Sequence, residues 1–176
     1  SRAYSSTITI KFLSFNFYFL IYNLMPIPKK IEAYLKKTKK KFHVIAHKTV
    51  YTGYDLAQTL KKGLSSIAKT LVVKTDKGYA LVVLPASSRL DLKKLKKILK
   101  VKKVTIPGEK IMSKVFKVKP GAISAFGKFH KVDTVVDRSI MKAKDVIFQA
   151  GSFTDSVMMK AKDFIEAEGA LLGDFA

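Results

Sequence analysis

The chain has 176 residues, 48% of them hydrophobic and 27% charged, which fits one domain with a sizeable core and leaves little room for two. Its 34 Lys and Arg against 13 Asp and Glu give a formal charge of +21, more than folding needs and natural for a protein that meets a polyanion. The absence of cysteine excludes disulfides, thiolate zinc sites and thiol nucleophiles.

Arginine occurs only at Arg2, Arg89 and Arg138, so the excess is almost all lysine. Lysine meets phosphate as a mobile point charge, whereas arginine offers a bidentate fork, so the pattern favours a nucleic-acid backbone over base reading. A lysine-rich proteome or thermal adaptation gives the same composition without such a partner. His43, His47 and His130 lack metal-ligand spacing, and no metal or other cofactor is expected.

Residues 1–24 are rich in Phe, Tyr, Ile, Asn and Ser, and the first methionine is Met25. The apolar run 12–24 is broken by Ser14, Asn16 and Asn23, is shorter than the ~18 residues of a spanning helix, and precedes no small-x-small cleavage pattern. We read 1–24 as an over-extended or non-native segment and 25–176 as a single cytoplasmic domain without stable membrane association. The alternative is a hydrophobic leader or peripheral anchor.

In chain order, residues 26–41 read as a helix with Ile27, Ile31, Tyr34 and Leu35 on one face, ended by a lysine run. A strand over 42–46 follows. Thr52 to Asp55 has capping-box spacing and opens a helix that stops near Gly63. The β-rich runs 69–74 and 79–84 are joined by Thr75-Asp76-Lys77-Gly78, a hairpin signal. Ser88 to Asp91 is a second capping-box pattern. The helix after it buries Leu92, Leu95, Ile98 and Leu99 and exposes Lys93, Lys94, Lys96, Lys97 and Lys100. Pro107-Gly108 breaks the chain before a short helix over 111–115 and a Pro120-Gly121 loop. Strands are expected over 132–136, 146–149 and 155–159, a helix over 161–167, and a tail over 171–176. Interleaved elements with a hairpin imply an α/β (α+β) fold: a mixed, largely antiparallel sheet or partial barrel flanked by helices.

Several residues could carry chemistry. Lys69 heads an apolar strand and either snorkels to the rim or enters a pocket. Gly121 can bring backbone close to a ligand, and free N–H groups in such a loop can hold an oxyanion, although a plain Pro-Gly turn explains it too. The hydroxyls of Ser152, Thr154 and Ser156 could bind a ribose or an amino acid, or merely make a turn. His47 reads as packing more than as a site residue, Asp163 as a helix start, and Thr52 as a cap. Ser124 has no convincing base partner, so a Ser-His-Asp triad is unsupported.

Three segments in order, Ala68-Lys69-Thr70-Leu71-Val72-Val73-Lys74, Lys119-Pro120-Gly121-Ala122-Ile123-Ser124-Ala125-Phe126-Gly127 and Ala150-Gly151-Ser152-Phe153-Thr154-Asp155-Ser156, resemble the YbaK/ProX family of aminoacyl-tRNA deacylases. The resemblance covers roughly 29–168 and extends to the editing domain inserted in bacterial prolyl-tRNA synthetases. It implies Lys69, Gly121 and Ala122 as catalytic residues. It also implies His47, Thr70, Ser124, Gly151, Ser152, Thr154, Ser156 and Asp163 as substrate-binding residues. Ala125 stands where the family has proline, which puts the fine substrate preference in question. The implied activity is free-standing trans-editing: water hydrolyses the ester of a mischarged tRNA, most often tRNA(Pro) carrying alanine or cysteine, aided by oxyanion donors and a ribose hydroxyl. The implied partners are the acceptor end of tRNA, held by lysines around 36–41 and 93–103, and prolyl-tRNA synthetase. A non-catalytic nucleic-acid binder and a membrane-surface protein are the rival readings.

Overall fold

The computed structural model describes residues 27–119 and 121–176; the expectations for residues 1–24 and for Pro120 lie outside them. Helix α1 spans Lys29–Lys37 and starts at Pro28, whose carbonyl accepts from the Ile31 amide at 2.8 Å. Strand β1 is Phe42–Ala46 and helix α2 is Gly53–Leu60. The capping box at α2 is complete: the Asp55 amide donates to Thr52 Oγ1 at 3.0 Å, and the Thr52 amide to Asp55 Oδ2 at 3.2 Å.

A 3-10 turn, Leu64–Ser66, leads into the hairpin of β2 (Ala68–Thr75) and β3 (Gly78–Pro85). Helix α3 is Leu92–Leu99. Its cap is Asp91, which accepts from the amides of Lys93 and Lys94, so the box expected from Ser88 does not form. The Asp91 amide donates to the Phe175 carbonyl at 2.8 Å, and this long-range bond coincides with Asp91 capping the helix. Next come β4 (Val104–Thr105), α4 (Glu109–Phe116), α5 (Gly127–His130) and β5 (Asp133–Asp137). After a 3-10 stretch, Arg138–Lys142, the chain ends in β6 (Asp145–Gln149), β7 (Asp155–Lys160), α6 (Ala161–Glu168) and β8 (Leu171–Gly173). The expected tail therefore carries a strand, and β4 and α5 are additional to the sequence reading.

The strands form two sheets, one in the order β1-β7-β6 and one in the order β4-β2-β3-β5-β8. The first is antiparallel throughout; the second is antiparallel at β4-β2-β3 and parallel at β3-β5-β8. No closed barrel forms among the described residues, and a bridge between Ile67 and Ile147 joins the sheets. The largest core packs Phe126, Phe148 and Phe164 with α1, and the Phe148 and Phe164 rings stack at 4.1 Å. Leu95 of α3 packs on the other side of the larger sheet with Val73, Val82 and Val135.

Two buried carboxylates tie distant elements. Glu168 accepts from Tyr34 Oη at 2.5 Å, the Lys128 amide at 3.0 Å and Thr134 Oγ1 at 3.2 Å. Asp137 accepts from the amides of Ser139, Phe175 and Ala176 at 2.9, 2.7 and 2.8 Å. Burial alone would push the Asp137 carboxyl up; these bonds and the Ser139 hydroxyl outweigh it and hold the pKa below the usual range. Among the described residues no helix is long and apolar enough to cross a membrane.

Candidate active site

A cleft of ≈ 470 Å³ opens between the two sheets beside the Ile67–Ile147 bridge. Its volume is in the range of pockets that enclose a small molecule. The start of β2 brings Lys69 and Thr70, the turn before α2 brings His47 and Tyr51, the loop after α4 brings Gly121, and the β6–β7 region brings Gln149, Ser152 and Ser156. Six of the residues singled out in the sequence thus meet: His47, Lys69, Thr70, Gly121, Ser152 and Ser156.

Lys69 is half-buried, and its Nζ donates to the Ser88 carbonyl at 2.6 Å. Burial, and then the neighbouring Arg89 charge, hold its pKa below the ordinary lysine value. Lys69 thus lines the cleft with its ammonium anchored at the rim by the Ser88 carbonyl. Thr70, the next residue, also lines the cleft, but its side chain points to the opposite face of β2, and its Oγ1 is buried with no partner among the described residues.

His47 is buried rather than merely packed: its Nδ1 lies 2.9 Å from the Lys48 carbonyl and its Nε2 2.9 Å from Ser156 Oγ. A carbonyl only accepts, so Nδ1 carries a proton; in the tautomer with that proton alone, Nε2 accepts from the Ser156 hydroxyl. This is a hydroxyl–imidazole pair with its imidazole oriented by a third group.

Gly121 has φ +79°, in the left-handed region that favours glycine. A Cβ there would meet Phe153 Cε1 at 3.6 Å and the Tyr51 carbonyl at 3.7 Å, which is ordinary contact, so its backbone conformation is what calls for glycine. The Gln149 side chain donates to the Gly121 carbonyl and fixes the loop against β6. Gln149, Tyr51 and Tyr54 were not anticipated. A polar residue ending an apolar strand is the signal for the first, and two tyrosines beside a helix cap for the others.

The remaining expected residues lie elsewhere. The Ala122 amide donates to the Lys119 carbonyl at 3.0 Å, closing a turn, so in this structure its N–H is already used. Ser124 is fully buried outside the cleft, with Oγ 2.8 Å from His130 Nε2, the partner the sequence did not show; the two line a separate depression near the start of α1. Burial also lowers the His130 pKa. Gly151 and Thr154 line a neighbouring groove together with Ala122 and Ser152. Asp163 sits in the first turn of α6, after β7 has carried the chain away from Ser156, and does not line the cleft. Asp155, buried beneath the hydroxyls, accepts from Ser152 Oγ at 2.9 Å and Thr154 Oγ1 at 2.8 Å.

A family model described as the aminoacyl-tRNA editing domain matches residues 47–167. The prolyl-tRNA editing protein ProX of Acetoanaerobium sticklandii is 25% identical over 145 residues, covering 79% of this chain and 88% of that protein. Among solved structures, a hypothetical protein superposes with a TM-score of 0.76 at 22% identity, covering 83% of this chain and 98% of its own. A candidate trans-editing enzyme for prolyl tRNA synthetase superposes with a TM-score of 0.74 at 19% identity, covering 86% and 98%. At these identities the two structures speak for the fold alone.

Proposed function

Because the chain belongs to the aminoacyl-tRNA editing domain family and is an aminoacyl-tRNA deacylase, we propose that it acts free-standing on mischarged tRNA(Pro) carrying alanine or cysteine, and that the cleft between the sheets is where the ester is cut. The observation that carries this reading is the convergence of Lys69, Thr70, Gly121 and the His47–Ser156 pair, from separate segments, on one cleft.

An ester is already activated, so the protein need supply no nucleophile of its own, only a bound carbonyl, donors for the developing oxyanion and an oriented water. With the Ala122 amide committed to its turn, donation falls to the Lys69 ammonium, which has N–H groups to spare beyond its bond to the Ser88 carbonyl. The Ser156 oxygen, whose own proton goes to His47, accepts from the attacking water. Water oxygen bonds to the carbonyl carbon while its proton passes through Ser156 to His47 Nε2. The bond from carbonyl carbon to ribose oxygen then breaks, and that oxygen takes the proton back from His47 Nε2 through Ser156, which restores the neutral pair. Gly121, pinned by Gln149, lets the backbone lie against the aminoacyl group.

The lining by Val50, Leu56, Ile67, Ala68 and Ala86 suits a small uncharged side chain and disfavours one that needs hydrogen bonds. Proline would be excluded by size, which leaves correctly charged tRNA for prolyl-tRNA synthetase, the enzyme this protein would serve. The test is deacylation of alanyl-, cysteinyl- and prolyl-tRNA(Pro) by the full chain and by Lys69→Ala. Loss of one mischarged species, survival of prolyl-tRNA and an inactive variant are expected. Salt-sensitive tRNA binding with no turnover of any species would reduce the protein to a nucleic-acid binder.

A further inference from the structure

The cleft does not end at its rim. A second groove of ≈ 600 Å³ adjoins it, sharing Ser152, and is lined by Thr49, Lys117, Lys119, Phe153 and Thr154 among others. None of its described lining residues is acidic. The divide between the two spaces is an aromatic pair: Tyr51 lines the cleft, Phe153 lines the groove, and their ring centroids lie 5.1 Å apart. Tyr51 is 68% exposed, an unusual setting for a ring already held against another ring. A Cβ added at Gly121 would meet Phe153 Cε1 and the Tyr51 backbone carbonyl, so the Gly121 loop passes beside this pair. Beyond the groove, a third depression shares Lys117, Val118 and Pro28 with it and adds Lys29 and Lys30. Aromatic faces over a cationic track are how proteins hold unpaired nucleotides without reading their sequence. The lysines of α3 line none of these three spaces.

We propose that the groove is a second nucleotide subsite: it holds the unpaired nucleotides that precede the aminoacylated terminal adenosine, with a base against the Tyr51–Phe153 ridge and phosphates against Lys117 and Lys119. This rests on the deacylase reading of the cleft and gives the bound RNA a direction. The strand leaves over the ridge toward the end of α4 and the start of α1, not along α3.

The test compares two alanyl esters, one of adenosine alone and one of the trinucleotide cytidylyl-cytidylyl-adenosine, on the full chain. The wild type should show a kcat/KM for the trinucleotide ester at least about tenfold above that for the nucleoside ester, an advantage that shrinks with added salt. In K117E/K119E that ratio should collapse toward one, and in K93E/K94E it should persist; melting curves confirm that both variants are folded. A wild-type ratio near one, or a collapse in K93E/K94E but not in K117E/K119E, overturns the subsite. Failure of the wild type to hydrolyse either short ester while it still hydrolyses alanyl-tRNA(Pro) overturns the subsite alone; failure on alanyl-tRNA(Pro) as well overturns the reading of the cleft on which it rests.

Discussion

Two groups of lysines in this molecule carry the same charge and do different things. Lys69, at the head of β2, is half-buried, holds a backbone carbonyl at 2.6 Å and has its pKa lowered by burial and then by Arg89. Lys93, Lys94, Lys96 and Lys97 stand exposed on α3 while Leu95 between them is fully buried. None of the four joins an ion pair among the described residues. The contrast teaches that net charge describes the company a protein keeps, whereas a partly desolvated lysine with a fixed partner describes a site. In the protein without a bound nucleic acid the α3 lysines form the solvated face of an amphipathic helix.

The sharpest way to break the contrast is Lys69→Met. Turnover should fall by about 10²–10³, the loss typical of one oxyanion donor. Stability should move the other way. A lysine whose folded pKa lies below its unfolded value is disfavoured in the fold while charged; the penalty is full below the folded pKa and is relieved as pH rises past it. At neutral pH the variant should therefore melt at the same temperature or slightly higher. A clear drop in Tm would make Lys69 a structural residue and dissolve the distinction.

Gly121→Ala comes next. The added methyl has room, so the cost is the left-handed φ, about 1 kcal/mol. Denaturant unfolding should register that loss, and kcat/KM for alanyl-tRNA should fall about tenfold as the loop shifts. Smallest is K93E/K94E. Hydrolysis of alanyl-adenosine should stay within about twofold of wild type, and the salt dependence of tRNA affinity should flatten only slightly. A large loss on the nucleoside ester would mean that α3 reaches the cleft after all.

Local features were legible in the sequence, and features made by distant contacts were not. The Thr52–Asp55 box and the β2–β3 hairpin depend on residues a few positions apart, and both form as read. The choice between Ser88 and Asp91 as the cap of α3 coincides with a bond to Phe175, which no local pattern contains. Strand β8 is three residues long and pairs in parallel with β5 from Val135 onward, so it has no hairpin signal of its own. In the site, the period of β2 put Lys69 on a strand, but only the resemblance placed it in a pocket. The Ala122 amide looked available because the turn that uses it is invisible in a string of small residues. Asp163 looked near because sequence spacing does not say that β7 carries the chain away from the cleft.

The Asp137 hold on the amides of Phe175 and Ala176 also decides how the molecule comes apart. A three-residue edge strand such as β8 would ordinarily fray and exchange its amide hydrogens quickly. Here local opening must also expose the buried Phe175 ring and strip a buried carboxylate of two donors. The folded pKa of Asp137 lies below its unfolded value, so this hold is present above the unfolded pKa and lost as pH falls through the folded one. Acid is therefore expected to act as a latch release, with the β8 amides, at the edge of the larger sheet, exchanging faster as pH falls while those of the cleft strand β2 change less.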